Sequence, residues 1–317
     1  MKYDFEDENS SYFPPMIVVV INNTCNFQCT HCYYRKYMAY PDYHTKYLTL
    51  NLFDKIVSET CAFPHASIRL IGWGEPLLHP KIKQIVEHAK QIAPANLLTL
   101  ITNGYFLMPN LSKHLIESGI DLIEVSLDAA SSEAFQKRRM SKDLRAYTTI
   151  VHHIHETINI RDQKGSSTRI VVSFIVYPTQ ESEEEFAAFE EYWSKVADEV
   201  VKRPVHSFKG ILGNIRQLPM QRIPCRCLWS RCTINPFGEI SVCYNDWERT
   251  AILGNLNDVE TTIAKIWRDE TLRKYRNEQC KGKFRGICAN CQDYNPNAWN
   301  NPYDLIIKRC RNKKEAH

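Results

Sequence analysis

The chain has no long apolar run near its start: the stretch Met16 to Ile21 is six residues, far short of the roughly 20 that cross a bilayer. It has no basic N-terminus either. Asp4, Glu6, Asp7 and Glu8 make that end acidic, the opposite of a secretory signal. Nor is there a strong charge of one sign, since 40 Lys and Arg against 36 Asp and Glu leave +4. The densest basic run is the short tail Lys308 to Lys314, too little for a nucleic-acid footprint. No internal repeat and no low-complexity tract interrupts the 317 residues. These absences set the expectation of a cytoplasmic globular protein with no membrane and no nucleic-acid partner. Its length suits one large domain, or a domain with a smaller companion.

Cysteine is what the chain does have. Twelve thiols, at 25, 29, 32, 61, 225, 227, 232, 243, 280, 288, 291 and 310, without a secretory signal argue against a disulfide scaffold and for metal binding or redox chemistry. Three fall within eight residues near the start, eight lie after residue 224, and Cys61 stands alone between. Two metal centres in two chain segments is the resulting expectation, with Cys61 a small core residue.

Residues 16–206 alternate short β-rich runs with helical patterns. Strands are predicted at 16–21, 67–72, 97–102, 121–127, 169–177 and 199–205, several of them continuous apolar runs that suit parallel strands covered on both faces. Ile82, Ile85, Val86, Ala89 and Ile92 recur at helical spacing. So do Phe186, Phe189, Trp193 and Val196, after an acidic first turn that complements a helix dipole. Six β units joined by helices imply right-handed crossovers and a parallel sheet. A closed eight-stranded barrel takes ~250 residues, so a partial barrel or open sheet fits better. Residues 207–224, with Gly210, Gly213, Pro219 and Pro224, read as a linker. The remainder, 225–317, predicts a hairpin turning at Phe237-Gly238 and one helix from Ile263 to Tyr275. Such a small segment makes a weak core alone, and a metal staple would compensate.

Cys25-Asn26-Phe27-Gln28-Cys29-Thr30-His31-Cys32 has C-x3-C-x2-C spacing directly after the first strand. The C-terminal edge of a parallel sheet is where such folds build sites. Three thiolates on one loop can wrap one face of an iron–sulfur cube and leave a fourth iron open. Zinc, with His31 or a distant residue as fourth ligand, is the competing reading.

This spacing, with Gly72-Trp73-Gly74-Glu75-Pro76 after the second strand, Thr102-Asn103-Gly104 ending the third and Ser126-Leu127-Asp128 ending the fourth, resembles the radical S-adenosylmethionine (SAM) superfamily. Trp73 stands where the family's GGEP motif begins with a second glycine. The resemblance implies a partial (β/α)6 TIM-like barrel, an α/β fold. It also implies a [4Fe–4S] cluster on Cys25, Cys29 and Cys32, whose open iron chelates the amino and carboxylate groups of SAM. Glu75 and the Gly74 backbone would then meet the methionyl ammonium, Ser126 and Asp128 the ribose, and His31 the adenine. Asn103 belongs to the same cofactor set, and Arg139 would neutralise the SAM carboxylate. The implied chemistry is reductive cleavage of SAM to a 5′-deoxyadenosyl radical that takes a hydrogen atom from substrate, with flavodoxin or ferredoxin as electron donor.

Farther on, Cys288 and Cys291 form a C-x2-C knuckle, Cys243 closes the hairpin, and Cys225 lies eighteen residues before it. Four such cysteines can hold a cluster or a zinc ion, and either Cys227 or Cys232 could replace Cys225. Residues 225–294 resemble the shortened SPASM region, or twitch domain, of radical SAM proteins. The spacing of the four resembles that of 2-deoxy-scyllo-inosamine dehydrogenases, which implies one fully ligated auxiliary [4Fe–4S] cluster. With only Cys310 left after Cys291, one auxiliary cluster is expected rather than two.

The expected function is oxidation of a sugar- or aminocyclitol-like small molecule, the auxiliary cluster accepting the second electron. Peptide maturation is the alternative, disfavoured by the fifteen residues before the first strand, and a zinc-binding interaction protein is the distant one. Arg203 and His206, with Lys209, lie where the last strand meets the linker and are weak catalytic candidates; surface charge is the better expectation for each. His152, His153 and His155 read as a solvated helix face, Tyr33-Tyr34-Arg35-Lys36-Tyr37 as cover for the cluster loop, and Lys308 to Arg311 as a solvated end.

Overall fold

Strand β1 (Met16–Val20) is buried at every position, and its β-branched run explains why it lies at the heart of a sheet rather than in a helix. In this computed structural model, which describes residues 12–209, 222–293 and 306–311, five more strands follow in parallel. They are β2 (Ser67–Ile71), β3 (Leu97–Thr102), β4 (Leu122–Ser126), β5 (Arg169–Val176) and β6 (Glu199–Pro204), each paired with its predecessor. All six match the predicted strands. The acidic N-terminal residues and most of the expected linker, with Gly210, Gly213 and Pro219, lie outside the described residues.

The chain then returns to the opposite edge. Strand β7 (Cys232–Ile234) pairs parallel with β1, and β8 (Glu239–Ser241) and β9 (Ile252–Asn255) add antiparallel strands. The nine-stranded order is β6-β5-β4-β3-β2-β1-β7-β8-β9. The expected hairpin therefore has no core of its own to build. It extends the main sheet, and Ile234 and Ile240 join the same apolar cluster as Ile17 and Val19.

Helices α1 (Tyr34–Tyr37), α2 (Leu50–Cys61), α3 (Ile82–Ile92), α4 (Pro109–Glu117), α5 (Ser132–Arg139), α6 (Ala146–Gln163) and α7 (Gln180–Trp193) connect the strands. Helix α3 buries Ile82, Ile85, Val86 and Ala89, and α7 buries Phe186, Phe189 and Trp193. Each such side chain contributes roughly 1.5–3 kcal/mol of burial. The Thr179 hydroxyl caps α7 by accepting from Ser182 N–H.

Four expectations are corrected. The helix expected from Ile263 to Tyr275 is two, α8 (Ile263–Trp267) and α9 (Glu270–Cys280); Asp269 between them is extended and caps the second. Cys61 is exposed at the end of α2 instead of filling the core. The tail is not wholly solvated: Ile306, Ile307 and Cys310 are buried against Met16, Val18, Leu97, Leu122, Val171 and Val201, although Lys308 and Arg309 remain exposed. His153 is buried, its Nδ1 bonded to the Gly104 carbonyl at 3.1 Å, so it supports the loop after β3.

Candidate active site

The loop after β1 is fastened to the loop after β2 by backbone hydrogen bonds. Trp73 N–H donates to Asn22 O at 2.9 Å and Glu75 N–H to Thr24 O at 2.7 Å, while the Asn22 amide donates to Glu75 O at 2.8 Å. The two loops approach so closely that a Cβ at Gly74 would overlap the Thr24 carbonyl, and one at Gly72 would lie 2.6 Å from Asn22 Oδ1. The motif's glycines answer that demand.

Cys25, Cys29 and Cys32 sit on this loop under aromatic cover. Tyr34 Oη accepts from Cys25 N–H at 3.0 Å, and Tyr34 N–H points at Cys32 Sγ at 3.4 Å. Tyr33, Tyr34 and Tyr37 are buried, so the aromatic–basic run does pack the loop. Burial, reinforced by the negative charge of Cys29, pushes Cys32 up to about 12 and raises Cys25 as well. Thiolates there need a compensating cation, as an iron–sulfur core supplies. Arg139 contributes part of it, with Nη1 3.6 Å from Cys29 Sγ.

The remaining cofactor candidates converge on the same strand ends. Glu75, 2% exposed, accepts from Thr102 Oγ1 at 2.6 Å, Asn103 N–H at 2.7 Å and Leu77 N–H at 2.9 Å. Its carboxylate is therefore held by three protein donors, which tie the loop after β2 to the loop after β3. Asn103 donates from its amide to Asn26 Oδ1 at 2.8 Å. Asp128 has φ +57°, left-handed for a non-glycine residue, a strain characteristic of functional positions. It accepts from Arg139 Nη2 at 2.6 Å, Ser126 Oγ at 3.0 Å and Ile175 N–H at 2.8 Å, and lies 3.5 Å from His31 Nε2. Burial, only partly opposed by Asp128, lowers His31 to about 4. Its imidazole is thus neutral at pH 7, and its buried Nδ1 has no hydrogen-bond partner among the described residues, as fits a group that meets a bound cofactor.

At the second site Cys225 N–H donates to Gln279 Oε1 at 2.7 Å, Asn245 N–H to Cys243 Sγ at 3.4 Å, and Asp293 N–H to Cys291 Sγ at 3.3 Å. The free thiols of Cys225 and Cys227 are hydrogen-bonded to each other, and Cys243 feels the charges of Cys227, Cys291 and Cys288. Cys232 is elsewhere: it is buried in the main core, with Glu59 and Arg276 as its charged neighbours. Among the described residues, no three His, Cys, Asp or Glu side chains converge on one point as ligands of a single metal ion.

Asp293 ties this site to the end of β6. It accepts from Ser207 N–H at 2.6 Å, Lys209 N–H at 3.2 Å and the Asn245 amide at 3.3 Å, with His206 Nδ1 at 3.7 Å. Two of the three basic candidates are not surface charges. Arg203 holds the buried Glu124 through Nε at 3.0 Å and Nη2 at 2.7 and 2.8 Å, opposite Arg69 at 3.3 Å, and Lys209 is paired with Glu248. His206 alone is half exposed. Sequence reasoning passed over Arg69 and Glu124, although a single charged residue in the middle of each of the apolar strands β2 and β4 is a visible signal. Asn22 and Asp293 carried no signal of their own.

A parallel sheet with three thiols, the buried Glu75 and the Asp128–Arg139 pair at its strand ends defines a class of enzyme that holds an iron–sulfur cluster and SAM together. The chain belongs to the radical SAM superfamily, whose family profile matches residues 19–192, and the profile of the SPASM iron–sulfur cluster-binding domain matches 225–292. Its cofactors are those of that architecture: a SAM-binding [4Fe–4S] cluster, SAM and auxiliary iron–sulfur. The GTP 3′,8-cyclase of Lactiplantibacillus plantarum is 26% identical over 182 residues, covering 55% of this chain and 52% of that one, so the chain spans about half the length of this relative. In structure the chain is similar to BtrN in complex with AdoMet and 2-DOIA, with TM-score 0.58, 19% identity, and 88% and 93% of the two chains covered. It is also similar to SuiB of Streptococcus suis bound to the precursor peptide SuiA, with TM-score 0.63, 12% identity, and 83% and 66% covered. No described helix is long and apolar enough to cross a membrane.

Proposed function

We propose that the chain is an oxidoreductase that cleaves SAM reductively, abstracts hydrogen from a sugar- or aminocyclitol-like small molecule, and delivers the second electron to one auxiliary cluster. The observation that carries this reading is the tie that Asp293 makes between the second cysteine group and the end of β6. Strand β7 pairs with β1, and Asp293 joins the Cys291 loop to the end of β6. An electron acceptor held there faces the space where a substrate radical forms.

When bound, the first cluster and SAM supply the one-electron chemistry. The chain's own residues hold and orient them. Cys25, Cys29 and Cys32 serve as cluster ligands, and Cys225, Cys243, Cys288 and Cys291 as the auxiliary set. Arg139, kept cationic by Asp128, neutralises the SAM carboxylate. Glu75 fixes the loop whose backbone at Gly74 meets the ammonium, and Asn103 braces it from β3. Ser126 and Asp128 take the ribose, and neutral His31 the adenine. His206 is the substrate-facing candidate, since Arg203 is committed to Glu124. A flavodoxin or ferredoxin is the proposed reductant. Domains divide as 1–206, 207–224 and 225–317.

The likeness of the barrel region to GTP 3′,8-cyclases favours a second reading, radical cyclisation of a nucleotide, and the likeness to SuiB keeps a peptide substrate as a third. Anaerobically reconstituted enzyme with SAM, dithionite and a panel of aminocyclitols, GTP and short peptides separates them. The proposal expects 5′-deoxyadenosine and an oxidised aminocyclitol in equal amounts. Turnover of GTP or peptide with no oxidised small molecule overturns it.

A further inference from the structure

Trp73 replaces a glycine of the GGEP-type motif, and its surroundings give it a task a glycine cannot perform. It is 1% exposed. Its Nε1–H donates to the Tyr244 carbonyl at 3.0 Å, and the Tyr244 hydroxyl donates back to Gly72 O at 2.7 Å. Its indole stacks on Trp247, with centroids 5.7 Å apart and planes inclined by 19°. Tyr37 sets an edge against both rings at 5.7 and 5.2 Å. Tyr244 directly follows Cys243 in the chain.

A continuous set of stiff links results. Cys243 is bonded to Tyr244, Tyr244 is doubly hydrogen-bonded to Gly72 and Trp73, and Gly74 packs without clearance on Thr24. Thr24 is bonded to Cys25. Each link is covalent, hydrogen-bonded or sterically closed, so a shift at either cysteine loop is transmitted rather than absorbed.

We infer that Trp73 is a positioning residue that couples the auxiliary cysteine loop to the SAM-binding loop, so that occupation of one site changes affinity at the other. This rests on the proposal that both cysteine groups hold clusters. Coupling between sites is reciprocal and typically amounts to about 5- to 150-fold in affinity.

The test measures SAM binding by calorimetry, without turnover, on reconstituted protein with the auxiliary cluster and on Cys288→Ser protein lacking it. Each is prepared in wild-type, Trp73→Gly, Trp73→Phe and Tyr244→Phe backgrounds. In the wild type, loss of the auxiliary cluster is expected to weaken SAM binding about fivefold or more. Trp73→Gly is expected to remove that dependence. Trp73→Phe, which keeps a ring but not the donor, is expected to restore part of it. A role confined to stability lowers affinity in Trp73→Gly yet leaves the dependence intact, and that result overturns the inference. Equal SAM affinity with and without the auxiliary cluster in the wild type also overturns it. If Trp73→Gly fails to fold, the phenylalanine variants carry the same comparison. Wild-type protein that takes up no iron removes the underlying reading, and this inference with it.

Discussion

The carboxylate of Glu75 accepts the backbone N–H of Asn103 at 2.7 Å, which joins the loop after β2 to the loop after β3. With Thr102 Oγ1 and Leu77 N–H it completes three bonds inside the protein. Glu75→Gln places an amide where acceptors are required and leaves at least one buried donor unsatisfied. A loss of about 1–3 kcal/mol of stability and at least a tenfold drop in 5′-deoxyadenosine formation are expected. Urea unfolding and product quantification check both, and a neutral result in each would show that the carboxylate is dispensable.

Gly74→Ala tests the closure of the two loops. A Cβ there has no room beside Thr24, so overpacking should cost about 1–3 kcal/mol and displace the first cysteine loop. Iron analysis of anaerobically reconstituted protein should show the first cluster depleted; full occupancy would mean the loop yields without consequence.

Glu124 gives a pH dependence with a definite sign. Burial alone would raise its carboxyl, but Arg203 and Arg69 outweigh it and hold the value below the ordinary 4.5. A depressed folded value means stability that is fully present above about pH 4.5 and lost as pH falls through the folded value. Glu124→Gln should destabilise by about 3–5 kcal/mol at pH 7, since it removes the buried carboxylate that Arg69 and Arg203 share. It should also flatten the acid limb of the stability curve. An acid limb unchanged from wild type would contradict the assignment.

The cysteines separate by iron count. Two [4Fe–4S] clusters hold about eight irons. Cys225→Ala should leave about four, whereas Cys232→Ala should leave the count unchanged, because that thiol lies in the core beside Glu59 and Arg276. If Cys225→Ala retains the full count, Cys227, hydrogen-bonded to Cys225 in the structure, is the ligand.

The six parallel strands and the four motifs were legible because most of the strands are short apolar runs and each of the first four leads into a motif. Periodicity could not reveal the break at Asp269, because no glycine or proline interrupts the stretch from Ile263 to Tyr275. The β1–β7 pairing was hidden for a different reason: a three-residue strand joins a partner far away in sequence, and nothing local encodes that choice. Basic neighbours disguised the burial of Ile306, Ile307 and Cys310. The multiple roles of Asp293 and Trp73 depend on loops meeting in space, which spacing alone does not disclose.

The most direct test of the central claim is a single anaerobic measurement on reconstituted wild-type protein. It quantifies bound iron and 5′-deoxyadenosine formed from SAM after dithionite reduction. About eight irons per chain with 5′-deoxyadenosine accumulating is the expected result. Protein that binds zinc instead of iron, or carries both clusters yet leaves SAM intact, would contradict it.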